Sequence, residues 1–395
     1  MHEIGLLHGW LTKSCGFMHA GRVGAVLAAV GALFDRGAKL SLSHLGRHLD
    51  SDAFRKHSIK RMDRLLGNRH LHTERLFVYQ AMARWVLKGQ RRPVVLVDWS
   101  DCAPGHAYLM LKAAVPAGGR ALTLYEEVHP LSAYNSPGTH RAFLVRLKVA
   151  LPPGCRPIVV SDAGFRGPWF RAVERLGWDW VGRVRNEVKY RLAGDETWRY
   201  TTELYARATP TANYLGPGEF SAKHPYRAHL HLLRAVVRKK MDKRRNDSKT
   251  RRCQQMHRDP WLIATSLPPE DYPPRRVMKL YKLRMQIEES FRDLKGHRWG
   301  LGLEYSRSRS AERLEVLLLI GALAALVLWL TGLAARLKGW ARHFQANTIT
   351  DRTVLSTGFL GKEVLKAERF EIRRRDLARA MKQLRVLLHE QSLAA

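Results

Sequence analysis

The periodicity of apolar and polar positions changes along the chain. Residues 1–90 show the three-to-four spacing of short amphipathic helices and no convincing strand pattern. From about residue 92, short continuous apolar runs alternate with helical patterns, which predicts buried strands separated by helices. The pattern therefore predicts a mixed α/β sheet preceded by a helical N-terminal region.

Two of the predicted strands stop at an aspartate. The apolar runs PVVLV at 93–97 and PIVVS at 157–161 are followed by Asp98 and Asp162. A carboxylate at such a position is costly to bury unless it finds a cation, although a cap or turn role is the alternative for each alone. The remaining predicted elements are a hairpin over 108–115 and 121–128, helices over 140–151 and 168–176, and strands over 178–184 and 261–265.

One long helical pattern runs from Pro273 and Pro274 to Lys295. Its apolar side chains lie within roughly 80° of one another on a helical wheel, which predicts a face packed on the sheet. These side chains are Leu280, Leu283, Ile287, Phe291 and Leu294.

A polar stripe borders that apolar face. Tyr281, Arg284, Glu288 and Lys295 fall within roughly 60° of one another, whereas the neighbouring Glu289 is rotated by about 100°. Asp293 also lies off the stripe, so Glu288 is the carboxylate that shares it. An ordinary ion pair between Arg284 and Glu288 is the alternative interpretation of the stripe.

Two short helices joined by a polar turn are predicted within the N-terminal region. They cover residues 43–49 and 53–66, and Ile59, Met62, Leu65 and Leu66 of the second helix are predicted to face a core. A separate stripe carries Lys56, Lys60 and Arg64 at four-residue spacing. This arrangement fits helix-turn-helix docking on DNA, with a solvated basic surface as the alternative.

Residues 316–335 form a twenty-residue stretch without a charge, long enough to cross a bilayer. Basic residues flank it on both sides, which weakens the charge asymmetry that orients a single span. A central helix buried in an α/β core is the favoured interpretation, and a membrane span stays open as an alternative. A basic helical tail is predicted from about Leu355 onward.

The charge balance indicates that the protein binds a polyanionic partner. The 395 residues include 68 Lys and Arg against 35 Asp and Glu, a net charge of +33. Nine of the basic residues fall in the run at 238–252, which is predicted to be a solvated loop or a loop that orders on a phosphate backbone. Four widely spaced cysteines give neither a metal knuckle nor a disulfide framework, so we expect a reducing compartment and no export.

Three carboxylates on a basic protein suggest a specific chemistry. If Asp98, Asp162 and Glu288 converge, their oxygens would hold two hard divalent ions, Mg²⁺ by preference. Such a pair of ions activates a water or a 3′-OH and stabilises the leaving oxygen at a phosphodiester. The basic residues would then hold the nucleic acid that the carboxylates cut.

These residues resemble the DDE transposases of the insertion-sequence-four family. The resemblance rests on VVLVDWSD, IVVSDAGF and the helix Y-x2-R-x3-E-x6-K in YKLRMQIEESFRDLK, with further likeness at RLLGNRHLH, GLGL and HFQANT. It covers essentially the whole chain, and within the family it is greatest to transposases of the transposon-ten type. The combination of the helix signature with both strand motifs is highly specific, whereas any single motif would be weak.

The resemblance implies a ribonuclease-H-like α/β catalytic core interrupted by a β-rich insertion. It implies a helical DNA-binding domain over 1–90, a catalytic domain over 91–335 with the insertion at 185–265, and a helical dimerisation region over 336–395. It also implies cut-and-paste transposition: nicking at the terminal inverted repeats, hairpin formation and opening, and joining of 3′ ends to target DNA.

The resemblance also assigns roles to residues. Asp98, Asp162 and Glu288 would carry two Mg²⁺ ions, with Mn²⁺ able to replace them. Tyr281, Arg284 and Lys295 would hold phosphates near the cleaved end. Trp261 matches the position of a tryptophan that stacks on a flipped base in relatives, although an ordinary core aromatic is equally open. Met285 replaces a second tryptophan of one branch, so an apolar wedge is expected there.

The implied partners are double-stranded DNA, both terminal repeats and target, and a second copy of the chain in a synaptic homodimer, with no membrane. The expected location is the cytoplasm of a bacterium, at the nucleoid. Two other classes stay open: a non-catalytic, decayed DNA-binding relative and a membrane-anchored basic protein. Intact Asp98, Asp162 and Glu288 argue against the decayed relative.

Overall fold

The structure, a computed structural model, describes most of the chain. The described residues are 2–102, 107–185, 188–234, 259–298, 300–346, 348–349 and 351–394. The chain divides into two compact units: the first comprises Met1–Cys155 with Met285–Ser392, and the second comprises Arg156–Arg284 with Leu393–Ala395. We refer to them as the first unit and the second unit.

The first unit contains three strands surrounded by helices. Its helices are α1 (His2–Ser14), α2 (Ala20–Ala32), α3 (Leu42–Arg47), α4 (Arg55–Leu66), α5 (Arg69–Val86), α6 (Pro137–Ala150), α9 (Met285–Lys295), α10 (Ala311–Leu337), α11 (Thr357–Lys366) and α12 (Arg374–Ala394). Its strands are β1 (Val94–Asp101), β2 (Tyr108–Pro116) and β3 (Ala121–Pro130), antiparallel in the order β3-β2-β1. Between residues 2 and 86 the regular elements are helices, as predicted.

The predicted hairpin is formed by β2 and β3. Its turn contains Gly118 and Gly119, whose φ angles of 72° and 98° favour glycine. The backbone N–H of Ala117 closes the turn by donating to the carbonyl of Arg120 at 2.6 Å. Both strands are buried on nearly every residue, which explains their continuous apolar sequence.

The long apolar stretch forms the central helix of the first unit, α10. Its residues are mostly buried, and it packs against α2, α4, α5, α11 and β3. At its crossing with α11, a Cβ on Gly332 would lie 1.8 Å from the carbonyl oxygen of Thr357, so only glycine permits this approach. Length and composition would also suit a membrane span, but the packing of α10 supports the interpretation of a buried core helix.

The second unit contains the other strands. They are β4 (Ile158–Ser161), β5 (Asp179–Val184), β6 (Lys189–Leu192), β7 (Arg199–Tyr200), β8 (Asn213–Phe220), β9 (Tyr226–Leu233) and β10 (Trp261–Thr265), in the order β4-β5-β10-β9-β8-β6-β7. The β4 and β5 pair is parallel, and the pairs that follow are antiparallel. Two helices accompany them, α7 (Gly167–Arg175) between β4 and β5, and α8 (Pro274–Leu283) after β10.

The region predicted as a β-rich insertion, 185–265, contains β6 to β10 among its described residues. The basic run at 238–252 lies outside the described residues. The boundaries of the compact units differ from those of the predicted domains 1–90, 91–335 and 336–395, which stay a prediction. The mixed α/β class predicted from the sequence is confirmed.

Candidate nucleic-acid-processing site

Asp98 lies inside β1 rather than at its end, contrary to the sequence prediction. The strand continues to Asp101 because residues 98–101 stay in register with Lys112–Leu109 of β2. The apolar run stops at Asp98, but the backbone pairing does not. The half-buried Asp98 accepts a hydrogen bond at Oδ1 from the backbone N–H of Trp99 at 2.8 Å.

The next residue, Trp99, is anchored on the opposite face of the strand. Its Nε1–H donates to Nε2 of His140 at 3.1 Å, and its ring meets those of His129 and Tyr134 edge-on. Burial lowers the pKa of His140 to about 4, with a smaller contribution from His129, so the imidazole is neutral and can accept this bond. The anchor fixes β1 next to the carboxylate.

Glu288 is placed by α9, which packs against β1, β2 and β3. Ile287, Phe291 and Leu294 of α9 are buried, while Glu288 is half-buried in the first turn. Lys295 shares the stripe with Glu288, and its ammonium lies 2.9 Å from Oγ of Ser100, two residues beyond Asp98. The first unit thus brings α9, with Glu288 and Lys295, onto the strand that carries Asp98.

Asp162 belongs to the second unit and follows β4 directly, as predicted. Its Oδ1 accepts a hydrogen bond from the backbone N–H of Gly164 at 2.9 Å, which closes the turn toward α7. Parallel pairing of Ser161 with Gly182 fixes the end of β4. Asp162 is therefore held by a turn, whereas Asp98 is held by strand register.

The predicted single helix from Pro273 to Lys295 is interrupted at Arg284. The backbone N–H of Arg284 donates to the carbonyl of Tyr281, three residues back, at 3.1 Å, so the helix tightens at the end of α8. The stripe is consequently divided: Tyr281 and Arg284 belong to the second unit, and Glu288 and Lys295 to the first.

A residue on a polar stripe beside the apolar face is expected to be partly exposed. Tyr281 is instead buried, with 5% of its surface exposed. Its ring meets that of Trp261 edge-on at 5.2 Å, and the Arg284 guanidinium lies 5.9 Å from the ring centre. Burial raises the pKa of Tyr281, against the opposing effects of Arg284 and Arg183, so the phenol is neutral. Trp261 is half-buried at the start of β10, and Met285 is 47% exposed at the start of α9.

Two arginines that were not predicted lie on and just after β5, and the first of them, Arg183, lies near Tyr281. The guanidinium of Arg183 donates to the carbonyls of Asp259 and Pro260 at 3.2 and 3.3 Å, and Arg185 pairs with the Asp259 carboxylate at 3.1 Å. Burial lowers the pKa of Arg183, with Tyr281 among the opposing influences. The sequence contained a signal for these two arginines. Residues 181–185, V-G-R-V-R, place arginine at alternate positions in a stretch that is otherwise apolar and typical of a buried strand.

The N-terminal basic stripe is exposed. Lys56, Lys60 and Arg64 all project from α4 to solvent, and within the described residues none of the three forms an ion pair.

The two predicted N-terminal helices pack closely. A Cβ on Gly46 of α3 would lie 2.5 Å from Cα of Ile59 in α4, so glycine allows the close crossing, and α2 contacts both helices. Met62, Leu65 and Leu66 are buried as predicted, whereas Ile59 is half-buried.

No group of three or more His, Cys, Asp or Glu side chains able to hold a metal ion forms among the described residues. The argument for a metal site therefore depends on the chemistry of the predicted ligand atoms. Asp98, Asp162 and Glu288 supply hard carboxylate oxygens, which suit Mg²⁺ or Mn²⁺. Asp98 and Asp162 are each oriented by a backbone N–H on one oxygen, so the donor set fits a divalent ion.

A family model described as the transposase DDE domain matches residues 92–326, more than half of the chain. The chain belongs to this family. The matched segment contains Asp98, Asp162 and Glu288. No curated protein matches the chain.

Family membership decides the broad function. The protein is a DDE transposase, a metal-dependent nuclease and strand transferase that binds DNA as its substrate. Its mixed α/β architecture fits a ribonuclease-H-like transposase domain.

Proposed function

We propose that this transposase catalyses cut-and-paste movement of an insertion sequence of the insertion-sequence-four family. It would bind the terminal inverted repeats, nick the ends, form and open hairpins, and join the 3′ ends to target DNA. The observation that carries the proposal is the family match across the segment with all three predicted carboxylates. A synaptic homodimer, in a bacterial cytoplasm at the nucleoid, is part of the same proposal.

Asp98, Asp162 and Glu288 would hold two Mg²⁺ ions, with Mn²⁺ able to replace them. When bound, two such ions supply an activated water or 3′-OH and stabilise the leaving oxygen. In support of this role, one carboxylate oxygen of Asp98 accepts a hydrogen bond from the Trp99 N–H, and one of Asp162 accepts from the Gly164 N–H. Glu288 lies on a helix whose buried face fixes its rotation against the sheet of the first unit.

The basic side chains would position the DNA. Lys295 is held at Ser100, beside the strand of Asp98, where its charge can meet a phosphate. Arg284 and the neutral Tyr281 would bind a second phosphate region, with Arg183 adding charge near Tyr281.

Other groups would contact bases and flanking DNA. Trp261 would stack on a displaced base, and the exposed Met285 would wedge between bases. The exposed stripe of Lys56, Lys60 and Arg64 would contact the backbone of the terminal repeat.

A cleavage assay tests the proposal most simply. DNA carrying the inverted repeats that flank the gene is incubated with the transposase and Mg²⁺, and nicks and hairpins are resolved on denaturing gels. Glu288→Ala is expected to abolish both products. Glu289→Ala is the matched control, because Glu289 is the next residue, pairs with Arg292 at 2.7 Å, and lies off the stripe.

Cleavage that persists in Glu288→Ala would remove that residue from the site. Binding without cleavage by the unmodified protein would favour the second function, a non-catalytic DNA-binding relative.

A further inference from the structure

Phe54 is the most exposed large apolar side chain among the described residues. It is 77% exposed, whereas the next, Leu393, is 61% exposed. Single exposed apolar residues are common and by themselves need no explanation. Phe54 differs from them in its surroundings, because it directly precedes α4, the helix of the N-terminal basic stripe Lys56, Lys60 and Arg64.

The packing of α4 leaves this surface of the helix in solvent. The buried residues of α4 are Ser58, Met62, Leu65 and Leu66. On a helical wheel these residues centre about 180° from Lys60, the middle residue of the basic stripe. The apolar face of α4 therefore packs within the first unit, where α4 contacts α2, α3 and α10. The basic stripe lies on the opposite, exposed face.

The Phe54 ring lies at the N-terminal end of that exposed face. Its backbone angles are not helical, with φ −51° and ψ 142°, and its ring lies 6.2 Å from the ring of the exposed His57. His57 is about 60° from Lys60 on the helical wheel, so the phenyl ring is next to the stripe. The carboxylate of α4, Asp63, pairs with Arg313 rather than with the stripe, which forms no ion pair in the described part of the chain.

A phenyl ring beside unpaired positive charges suits a partner that presents an apolar group next to phosphates. The major groove of DNA is about 12 Å wide and admits an α-helix, and the one apolar group that base pairs present there is the C5-methyl of thymine. The basic stripe spans about 12 Å along α4. The turn before Phe54 contains the exposed Asp50 and Asp52, which repel phosphates. Phosphate contacts are therefore expected along the stripe, and base contacts at the end that carries Phe54.

An anionic membrane surface is another partner for basic and aromatic side chains. Helices that lie on a membrane insert an apolar face between the lipids. The apolar face of α4 is buried in the first unit, which leaves a single phenyl ring beside charged side chains. This surface consequently favours DNA over a membrane.

We propose that Phe54 is a specificity-determining residue that contacts the methyl group of a thymine in the major groove of the terminal inverted repeat. The basic stripe would hold the adjacent phosphates, and the base contact would select the sequence. The proposal rests on the proposed function, in which the chain binds terminal repeats. It predicts that losing the ring and losing the methyl group have overlapping rather than additive effects on affinity.

The test measures binding of the full chain to terminal-repeat DNA by fluorescence anisotropy, with DNA of scrambled sequence as the comparison. Each thymine is replaced in turn by deoxyuridine, which removes only the methyl group. At one position the unmodified protein is expected to lose affinity about fourfold. Phe54→Ala is expected to bind the original DNA about fivefold more weakly and to bind its thymine and deoxyuridine forms equally well.

Phe77→Ala is the matched control. Phe77 is also a partly exposed phenylalanine, but its ring packs edge-on against Phe17 at 5.7 Å. This variant should keep both the affinity and the fourfold response to deoxyuridine.

The salt dependence of binding separates a base contact from a phosphate contact. Phe54→Ala should leave the slope of log affinity against log salt unchanged, whereas Lys60→Ala should reduce it by about one. Because the Phe54 ring is exposed, its removal should not change the melting temperature.

The outcomes distinguish this proposal from the proposed function. If the unmodified protein binds scrambled DNA as tightly as the terminal repeat, terminal-repeat recognition and the role of Phe54 are both overturned. If it prefers the repeat, the role of Phe54 alone is overturned when no deoxyuridine weakens binding, or when Phe54→Ala binds and responds like the unmodified protein. A Phe54→Ala variant that keeps its DNA affinity but loses binding to phosphatidylglycerol vesicles would overturn it in favour of a membrane contact.

Discussion

Asp98 and Asp162 are presented by two different kinds of local structure. Asp98 lies within an antiparallel strand, where backbone pairing continues past it and its strand partner Lys112 forms a buried ion pair with Glu126. Asp162 follows a four-residue parallel strand and is held by a turn to Gly164. Two carboxylates with one proposed task can thus depend on different supports, strand register in one unit and a tight turn in the other.

The basic side chains of the two units also lie in different kinds of local structure. In the first unit Lys295 reaches a hydroxyl on the strand of Asp98. In the second unit Arg183 and Arg284 lie with the aromatic pair Trp261 and Tyr281. In the first unit the basic side chain belongs to a helix. In the second unit the basic side chains lie at or near the ends of β5 and α8, beside aromatic rings.

The largest expected effect is the loss of cleavage when either aspartate is neutralised. Asp98→Asn and Asp162→Asn should each reduce metal-dependent strand cleavage by about 10³-fold or more, because each removes a charged ligand of the proposed metal site. Gel-based cleavage rates measure this. Equal losses are expected despite the different supports, and a minor effect of either substitution would show that only the other aspartate is essential.

Gly182 pairs with Ser161, the last residue of β4 before Asp162, so a substitution at Gly182 should weaken the structure that supports Asp162. A Cβ there would lie 2.4 Å from the Phe170 ring, so Gly182→Ala should destabilise the second unit by about 2–3 kcal/mol. Urea unfolding measures the change. Gly5→Ala in α1, where a Cβ meets nothing within 4 Å, is the control and should be neutral or slightly stabilising. Equal behaviour of the two variants would contradict the packing argument.

Each unit also contains a buried neutral histidine. Burial lowers the pKa of His140 in the first unit, and of His231 in the second, to about 4. The unfolded chain therefore binds more protons between pH 6.5 and 4, and the stability present above pH 6.5 is lost as the pH falls through that window. The loss is up to about 3 kcal/mol for each histidine.

Thermal unfolding as a function of pH measures this dependence. His140→Asn and His231→Asn should each flatten the profile between pH 6.5 and 4 relative to the unmodified protein. An unchanged slope in His140→Asn would mean that its imidazole is not held neutral by burial.

The smallest expected effects concern single phosphate contacts. Arg284→Ala and Lys295→Ala should each weaken binding to pre-cleaved end DNA and reduce the slope of log affinity against log salt by about one. Lys60→Ala should do the same for intact terminal DNA. Lys88→Ala, an exposed lysine in the turn after α5, is the control and should leave the slope unchanged. Fluorescence anisotropy across a salt series measures all four, and unaltered slopes in the first three would argue against phosphate contacts.

The sequence predicted elements better than it predicted their ends. Apolar runs located β1, β4 and the hairpin because burial on both faces leaves a strong signal. The same signal misplaced the end of β1 at Asp98, since backbone pairing continues after burial decreases. The break at Arg284 was missed because the side-chain periodicity runs through it, while the tightening depends on a backbone bond to Tyr281.

Two groups at the candidate site left weaker signals. Arg183 and Arg185 occupy alternate positions of a largely apolar stretch, and the approach of Arg183 to Tyr281 depends on tertiary packing. Lys112 and Glu126 are charged residues inside apolar strands, and their pairing required the register of the hairpin. The periodicity of apolar residues does not predict contacts between segments that are distant in the sequence.

We expect Asp98, Asp162 and Glu288 to hold the divalent ions. Iron-directed cleavage of the polypeptide tests it without DNA or activity: Fe²⁺ replaces Mg²⁺, and ascorbate with peroxide generates hydroxyl radicals that cut the chain near the bound ion. Cuts are expected close to residues 98, 162 and 288, and excess Mg²⁺ should suppress them while Asp98→Asn should weaken them. Cuts confined to other segments, or cuts at these residues that neither Mg²⁺ nor the substitution affects, would contradict it.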